Sequence, residues 1–313
     1  MRYHIRHQTL YRYGADVVHS HQLLHLVPRP APYQQCLEHT LQITPASHER
    51  RDQVDVFGNP MTCIELEHPH RRLEVIADME VQVYARPVLL AGDSAPWETV
   101  RDALAYRAHA PPSREQLEAA RFRQESPYVR IKQAFTDYAA DCFVAGRPVL
   151  ACADALTGKL NREFRYAPGE TAISTPLLEV LRHRRGVCQD FAHVMIACLR
   201  SRGLAARYVS GYVRRLHRPA EAPAAKAVTT AKAVPATGEA GADGASHAWV
   251  AVYAPPFGWV ELDPTNDTRV AGDHVAVAWG RDFGDVSPLR GVILGGGTHE
   301  LSVSVAVAAL NPS

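Results

Sequence analysis

Gly186-Val187-Cys188-Gln189-Asp190-Phe191-Ala192-His193-Val194-Met195-Ile196-Ala197-Cys198-Leu199-Arg200 carries the strongest structural signal in the chain. It predicts a helix that starts at a cysteine. Gly186 breaks the chain just before the start, and Phe191, Met195 and Cys198 recur at helical spacing, so one face seeks a core. Cys188 precedes Met195 by about two turns, which directs its thiol to that same side, where a packed sheet would lie. Arg184 and Arg185 stand close by in sequence. A thiol at a helix N-terminus near cations has its thiolate favoured, and the thiolate is the nucleophile. A buried structural cysteine is the commoner fate of this residue type, and Cys198 fits that description.

Two later stretches set Cys188 apart. Ser246-His247-Ala248-Trp249-Val250-Ala251-Val252-Tyr253 predicts a strand opening on a histidine. Gly258-Trp259-Val260-Glu261-Leu262-Asp263-Pro264 predicts a second strand ending on an aspartate. A Pro-Pro-Phe-Gly turn joins them, so they can pair as a hairpin. The order is cysteine on a helix start, histidine on one strand, aspartate on the next.

Working outward, 313 residues suggest about two domains. A formal net charge of +1 provides no global field to recruit nucleic acid or an anionic membrane surface. No segment approaches the ~20 apolar residues of a membrane span. The six cysteines show no disulfide framework and fit a reducing compartment, so a soluble cytoplasmic protein is expected.

Residues 1–92 read as an all-β, sandwich-like domain. Apolar residues alternate at Tyr3, Ile5, Thr9, Tyr11 and Tyr13, again at Leu37, Leu41 and Ile43, and at Leu73, Val75, Met79, Val81 and Val83. From Trp97 the period becomes helical: Trp97, Val100 and Leu104 share a face, and Ser113 with Gln116 resembles a capping box. Ser126-Pro127 is expected to open a helix bearing Tyr128, Ile131, Phe135 and Tyr138. Val149, Cys152, Leu156 and Leu160 mark another, and Thr175-Pro176 opens one ending near Gly186. Ala206–Val213 returns to a strand pattern. Residues 219–245, mostly Ala, Pro, Lys, Thr and Gly, have too little apolar surface to offset ordering entropy and read as a mobile insert between core strands.

Other signals are read conservatively. Gly295-Gly296-Gly297 lacks the Lys-Ser/Thr of a phosphate loop and is expected to be a hairpin turn. His19, His21 and His25, and His68 with His70, are joined by no cysteine or acidic residue at ligand spacing, so no metal site is expected. Cys188 and His193 point about 140° apart on a helix and cannot share a metal.

The chain resembles the transglutaminase-like superfamily of cysteine enzymes, most closely the bacterial members that carry an N-terminal β region. The matching motifs are Gly186-Val187-Cys188-Gln189-Asp190-Phe191-Ala192, His247-Ala248-Trp249-Val250 and Trp259-Val260-Glu261-Leu262-Asp263-Pro264-Thr265. Leu199–Leu204, Arg207–Tyr212 and Gly280–Phe283 with Asp285–Pro288 are also similar to that family. The long insert before His247 departs from it. The resemblance implies an α+β, papain-like core over residues 93–313, a helix layer on an antiparallel sheet. It also implies a triad with Cys188 as nucleophile, His247 as base and Asp263 as orienting acid, and no cofactor.

Such a triad forms an acyl-enzyme from an amide, and the acceptor decides the outcome. Water gives hydrolysis and a lysine amine gives cross-linking. With no calcium-site motif, hydrolysis of a peptide or isopeptide-like amide is the leading expectation, with a protein or peptide as substrate. Amine transfer and a non-catalytic peptide-binding module are the alternatives; a thiol redox role lacks its Cys-x-x-Cys. The Cys188 backbone N–H is a natural oxyanion donor, with Tyr166 or Gln189 as candidate second donors.

Overall fold

The computed structural model describes residues 1–106, 111–214 and 244–310. Its first sheet is built on one long strand, β1 (Arg2–Leu24). Period-two patterning buries Tyr3, Ile5, His7 and Thr9 on one face. The chain continues through β2 (Gln34–Thr44), β3 (Glu49–Val54), β4 (Pro60–Leu66) and β5 (His70–Val83). In β5, Leu73, Val75, Ala77, Met79, Val81 and Val83 all face the core. Residues 2–12 of β1 pair with β5, and residues 20–24 pair with β4. The register shifts between Arg12 and Val17, so β1 bends there and joins two halves of a seven-stranded sheet.

A helical layer follows. It contains α1 (Trp97–Ala103), α2 (Arg114–Ala120), α3 (Gln133–Tyr138), α4 (Val149–Glu163) and α5 (Leu177–His183). The Ser113–Gln116 capping box forms as expected. The helix expected at Ser126-Pro127 does not begin there. Ser126 and Val129 close a turn, the Tyr128 N–H donates to Asp282 and the Ile131 N–H to Glu125, and α3 starts only at Gln133. A tertiary partner for the Tyr128 N–H and a local one for the Ile131 N–H override the proline signal.

Two short strands, β6 (Arg165–Tyr166) and β7 (Arg185–Gly186), pair in parallel and lead into α6 (Cys188–Ser201). Then come β8 (Ala206–Arg214), β9 (Gly244–Tyr253), β10 (Trp259–Asp263), β11 (Thr268–Arg269) and β12 (His274–Gly280). They form an antiparallel sheet in the order β11-β10-β9-β8-β12, with α6 packed on β8 and β9. The expected α+β core, a helix layer on an antiparallel sheet behind a β-rich N-terminal region, is present. The composition break at 219–245 falls between the paired strands β8 and β9 and, apart from the first two residues of β9, lies outside the described residues.

After the short α7 (Phe283–Val286), the chain returns to the first sheet as β13 (Leu289–Gly295) and β14 (His299–Leu310). β13 pairs with residues 17–24 of β1, and β14 with residues 2–13. Residues 289–310, expected within a 93–313 domain, are therefore strands of the N-terminal sheet. Both strands run antiparallel to β1, so Gly295-Gly296-Gly297 is not the expected hairpin turn but a kink in one long ribbon. The kink requires glycine: φ is 96°, 85° and 61° at the three positions, and a Cβ on Gly295 would lie 2.4 Å from the Asp16 carbonyl oxygen. A reversal and a kink both call for left-handed residues, so sequence alone does not separate them.

The two sheets are bolted at an edge. β12 ends the second sheet, and the Gln34 amide pairs with both the N–H and the C=O of Ala276, at 2.8 and 2.6 Å. Asn59 does the same for Trp279, at 2.9 and 2.8 Å. The backbone groups that an edge strand leaves open are thus capped by side chains of the N-terminal region. Among the described residues no helix is long and apolar enough to cross a membrane.

Candidate active site

Gly186 and Asp190 set where α6 begins. The Asp190 carboxylate reaches back to accept from the Val187 N–H at 2.8 Å and from the Thr171 hydroxyl at 2.7 Å. An anion in the first turn suits the helix dipole. This buried side chain leaves no room for a Cβ on Gly186, which would sit 2.4 Å from Asp190 Oδ2. Cys188 opens the helix in this fixed frame and is half-buried. Further along α6, Phe191, Met195 and Cys198 are buried in the core, and the half-buried Cys188 packs against it. His193 points elsewhere, accepting the Phe283 N–H at 3.1 Å, and burial lowers its pKa to about 3.

His247 lies near the start of β9 and Asp263 at the end of the paired β10. The structure brings Cys188, His247 and Asp263 together. His247 Nε2 lies 2.7 Å from Asp263 Oδ2, and Cys188 stands close enough to the same imidazole to help raise its pKa. With Nε2 committed to Asp263, Nδ1 is the nitrogen left for sulfur. Burial opposes charge on His247, yet Asp263 and Cys188 outweigh it and raise its pKa. Asp263 is fully buried, which works against its charge, but His247 and His274 hold it below the usual carboxylate range.

Asp263 has more partners than sequence reasoning found. Its Oδ1 accepts from the Thr265 N–H at 2.9 Å, and its Oδ2 from Asn266 Nδ2 at 2.6 Å. His274 Nε2, from β12, also lies 3.1 Å from Oδ2, while His274 Nδ1 is 2.7 Å from Asp273 Oδ1. Asn266 sits three residues past Asp263, so its proximity was available locally. His274 arrives through the order of strands, for which the sequence carries no local signal. Trp249 backs both imidazoles, its ring centroid 6.1 Å from that of His247 and 5.2 Å from that of His274. It is fully buried and donates to Glu261 at 2.7 Å, so it packs behind the site. Gly211, the register partner of His247, makes room for it: a Cβ there would lie 2.5 Å from the Trp249 ring.

Of the candidate second oxyanion donors, Tyr166 pairs in β6 with Gly186 of β7, beside the cysteine loop, and is partly exposed. A cavity of about 430 Å³ lies between residues 127–135 and 173–178, with Arg130, Lys132, Ile173 and Leu178 among its lining. None of the three clustered residues lines it.

A helix opening on a cysteine, set against an antiparallel sheet that carries an imidazole and a carboxylate, is the architecture of the papain-like cysteine enzymes. Residues 3–82 match the bacterial transglutaminase-like N-terminal region, and residues 136–264 match the transglutaminase-like superfamily. An uncharacterized protein of Mycobacterium tuberculosis strain H37Rv is 37% identical over 299 residues, covering 93% of this chain and 87% of its own. An uncharacterized Mycobacterium leprae protein is 29% identical over 309 residues, covering 99% of both. A crystal structure from Cytophaga hutchinsonii, described as a candidate cysteine protease, shares the fold with a TM-score of 0.72 at 18% identity, covering 100% of this chain and 92% of that one. The chain belongs to the transglutaminase-like superfamily.

Proposed function

We propose that this protein is a cysteine-dependent acyl-transfer enzyme that hydrolyses a peptide or isopeptide-like amide through a thioester on Cys188. The carrying observation is the buried His247–Asp263 hydrogen bond at 2.7 Å with Cys188, at the start of α6, close enough to raise the pKa of that imidazole. In the first step the Cys188 sulfur attacks the amide carbonyl carbon and its proton passes to His247 Nδ1. The tetrahedral intermediate then collapses: the C–N bond breaks and His247 returns that proton to the leaving amine. Water, deprotonated by His247, cleaves the thioester and releases the acid. Asp263 fixes the imidazole tautomer and steadies its charged form. The Cys188 N–H, at the start of α6, would donate to the oxyanion.

Intact protein is incubated with an activated ester or amide probe and read by mass spectrometry, with and without a primary amine. An acyl adduct on Cys188 that decays to free acid is the expected result. Capture by the amine in place of water would turn the reading to cross-linking. Cys188→Ala should abolish the adduct and His247→Ala should cripple its formation. Asp263→Asn should slow it by up to ~10⁴-fold, and these losses should not multiply. Absence of any adduct on the wild type, with peptide affinity unchanged in Cys188→Ala, would favour a binding module.

A further inference from the structure

His19 and His21 lie two residues apart on β1 and so share one face of the strand. Sequence alone offered them no acidic partner. The sheet provides one, because Glu65 of β4 is the register partner of His21. His19 Nε2 and His21 Nε2 are 2.7 Å apart, and Glu65 Oε1 lies 3.3 and 3.2 Å from them. The side chains keep 37%, 53% and 23% of their surface exposed, so an ion can reach them from solvent.

Protons alone do not satisfy this triangle. If one ring donates to the other, the accepting nitrogen and the Glu65 oxygen face each other with lone pairs. If both rings carry Nε2–H, two hydrogens are forced together across 2.7 Å. A single cation at the centre satisfies all three atoms at once. Around four-coordinate zinc, with bonds of about 2.0–2.1 Å, tetrahedral ligand atoms stand roughly 3.3 Å apart. Two of the three separations already have that value, and the third needs only a small opening. Two imidazoles and one carboxylate suit zinc and its transition-metal neighbours and not the hard, oxygen-seeking calcium or magnesium.

We propose that His19, His21 and Glu65 form a surface site for a divalent transition cation, zinc above all, with a fourth position open to water or an incoming ligand. The site stands on the N-terminal sheet, on different strands from those carrying His247, Asp263 and His274, and its occupancy is independent of the Cys188 chemistry.

The test uses the full chain stripped with a chelator and titrated with Zn²⁺ in equilibrium dialysis, beside a His19→Ala/His21→Ala double variant and Glu65→Gln. Wild type should take up one more equivalent than the double variant, and Glu65→Gln should bind more weakly than wild type. Metal held by His247, Asp263 and His274 would be common to all three proteins and cancels in the difference. Co²⁺ should give wild type the intense visible bands of a tetrahedral site without a thiolate charge-transfer band. That second criterion matters because Cys63 precedes Glu65 by two residues on the same strand. Equal uptake by wild type and the double variant would overturn the site, and so would a thiolate band. All three side chains face solvent, so the metal-free variants should melt with the wild type; if the double variant does not fold, Glu65→Gln decides by the same criteria.

Discussion

His274 sets Nδ1 against the Asp273 carboxylate and Nε2 against that of Asp263, so both nitrogens donate and the ring is held as an imidazolium. Burial opposes that charge, but the two carboxylates raise the pKa of the ring. The cation shares Asp263 Oδ2 with His247, their ring centroids 6.2 Å apart. It therefore works against a proton on His247. Asp273→Asn keeps the shape, lets the new amide donate to Nδ1 and leaves His274 neutral. His247 should then take a proton more readily, and iodoacetamide should alkylate Cys188 faster than in the wild type at one fixed pH. An unchanged rate in a variant of normal stability would mean that His274 holds Asp263 sterically and not through its charge.

At the scale of the element, the start of α6 depends on Gly186 giving room to Asp190. That carboxylate is pinned by Val187 and Thr171, so it has no free rotamer into which to retreat. Gly186→Ala should destabilise the fold by about 1–3 kcal/mol, as overpacking does, and slow Cys188 labelling as the helix start shifts. Urea denaturation and labelling rates check the two parts. The helix, the His247 strand and the Asp263 strand were legible because each is a local pattern flanked by its own breakers. His274 and Glu65 were not, because each meets its partner across a sheet whose register no periodicity encodes. The same limit hid the return of β13 and β14 to β1, and the Ser126-Pro127 turn, where the Tyr128 N–H is claimed by the distant Asp282.

Across the whole molecule, His7 joins the sheets. It is buried between Tyr212 Oη at 2.9 Å and Thr9 Oγ1 at 3.1 Å, and burial lowers its pKa to about 4. An unfolded histidine takes its proton near pH 6.5. Between those two values the unfolded chain binds a proton that the fold refuses, so stability falls as pH drops from ~6.5 toward 4 and is regained on raising it. His193, neutral for the same reason, adds to the trend. Each contributes up to ~1.4 kcal/mol per pH unit over its window. His7→Gln keeps a polar partner for Tyr212 and should flatten His7's share of the slope. Denaturation midpoints at a series of pH values measure it.

The ribbon of β13 and β14 along β1 bears on how the chain is made. β1 is synthesised before β13 and β14, and one whole side of it pairs with them. Until those residues emerge from the ribosome, β1 presents a row of unsatisfied backbone groups to any passing strand. The Cys188–His247–Asp263 cluster lies wholly within the sequence made before the ribbon. In vectorial synthesis the cluster can therefore assemble first, and the sheet built on β1 is the part that must wait.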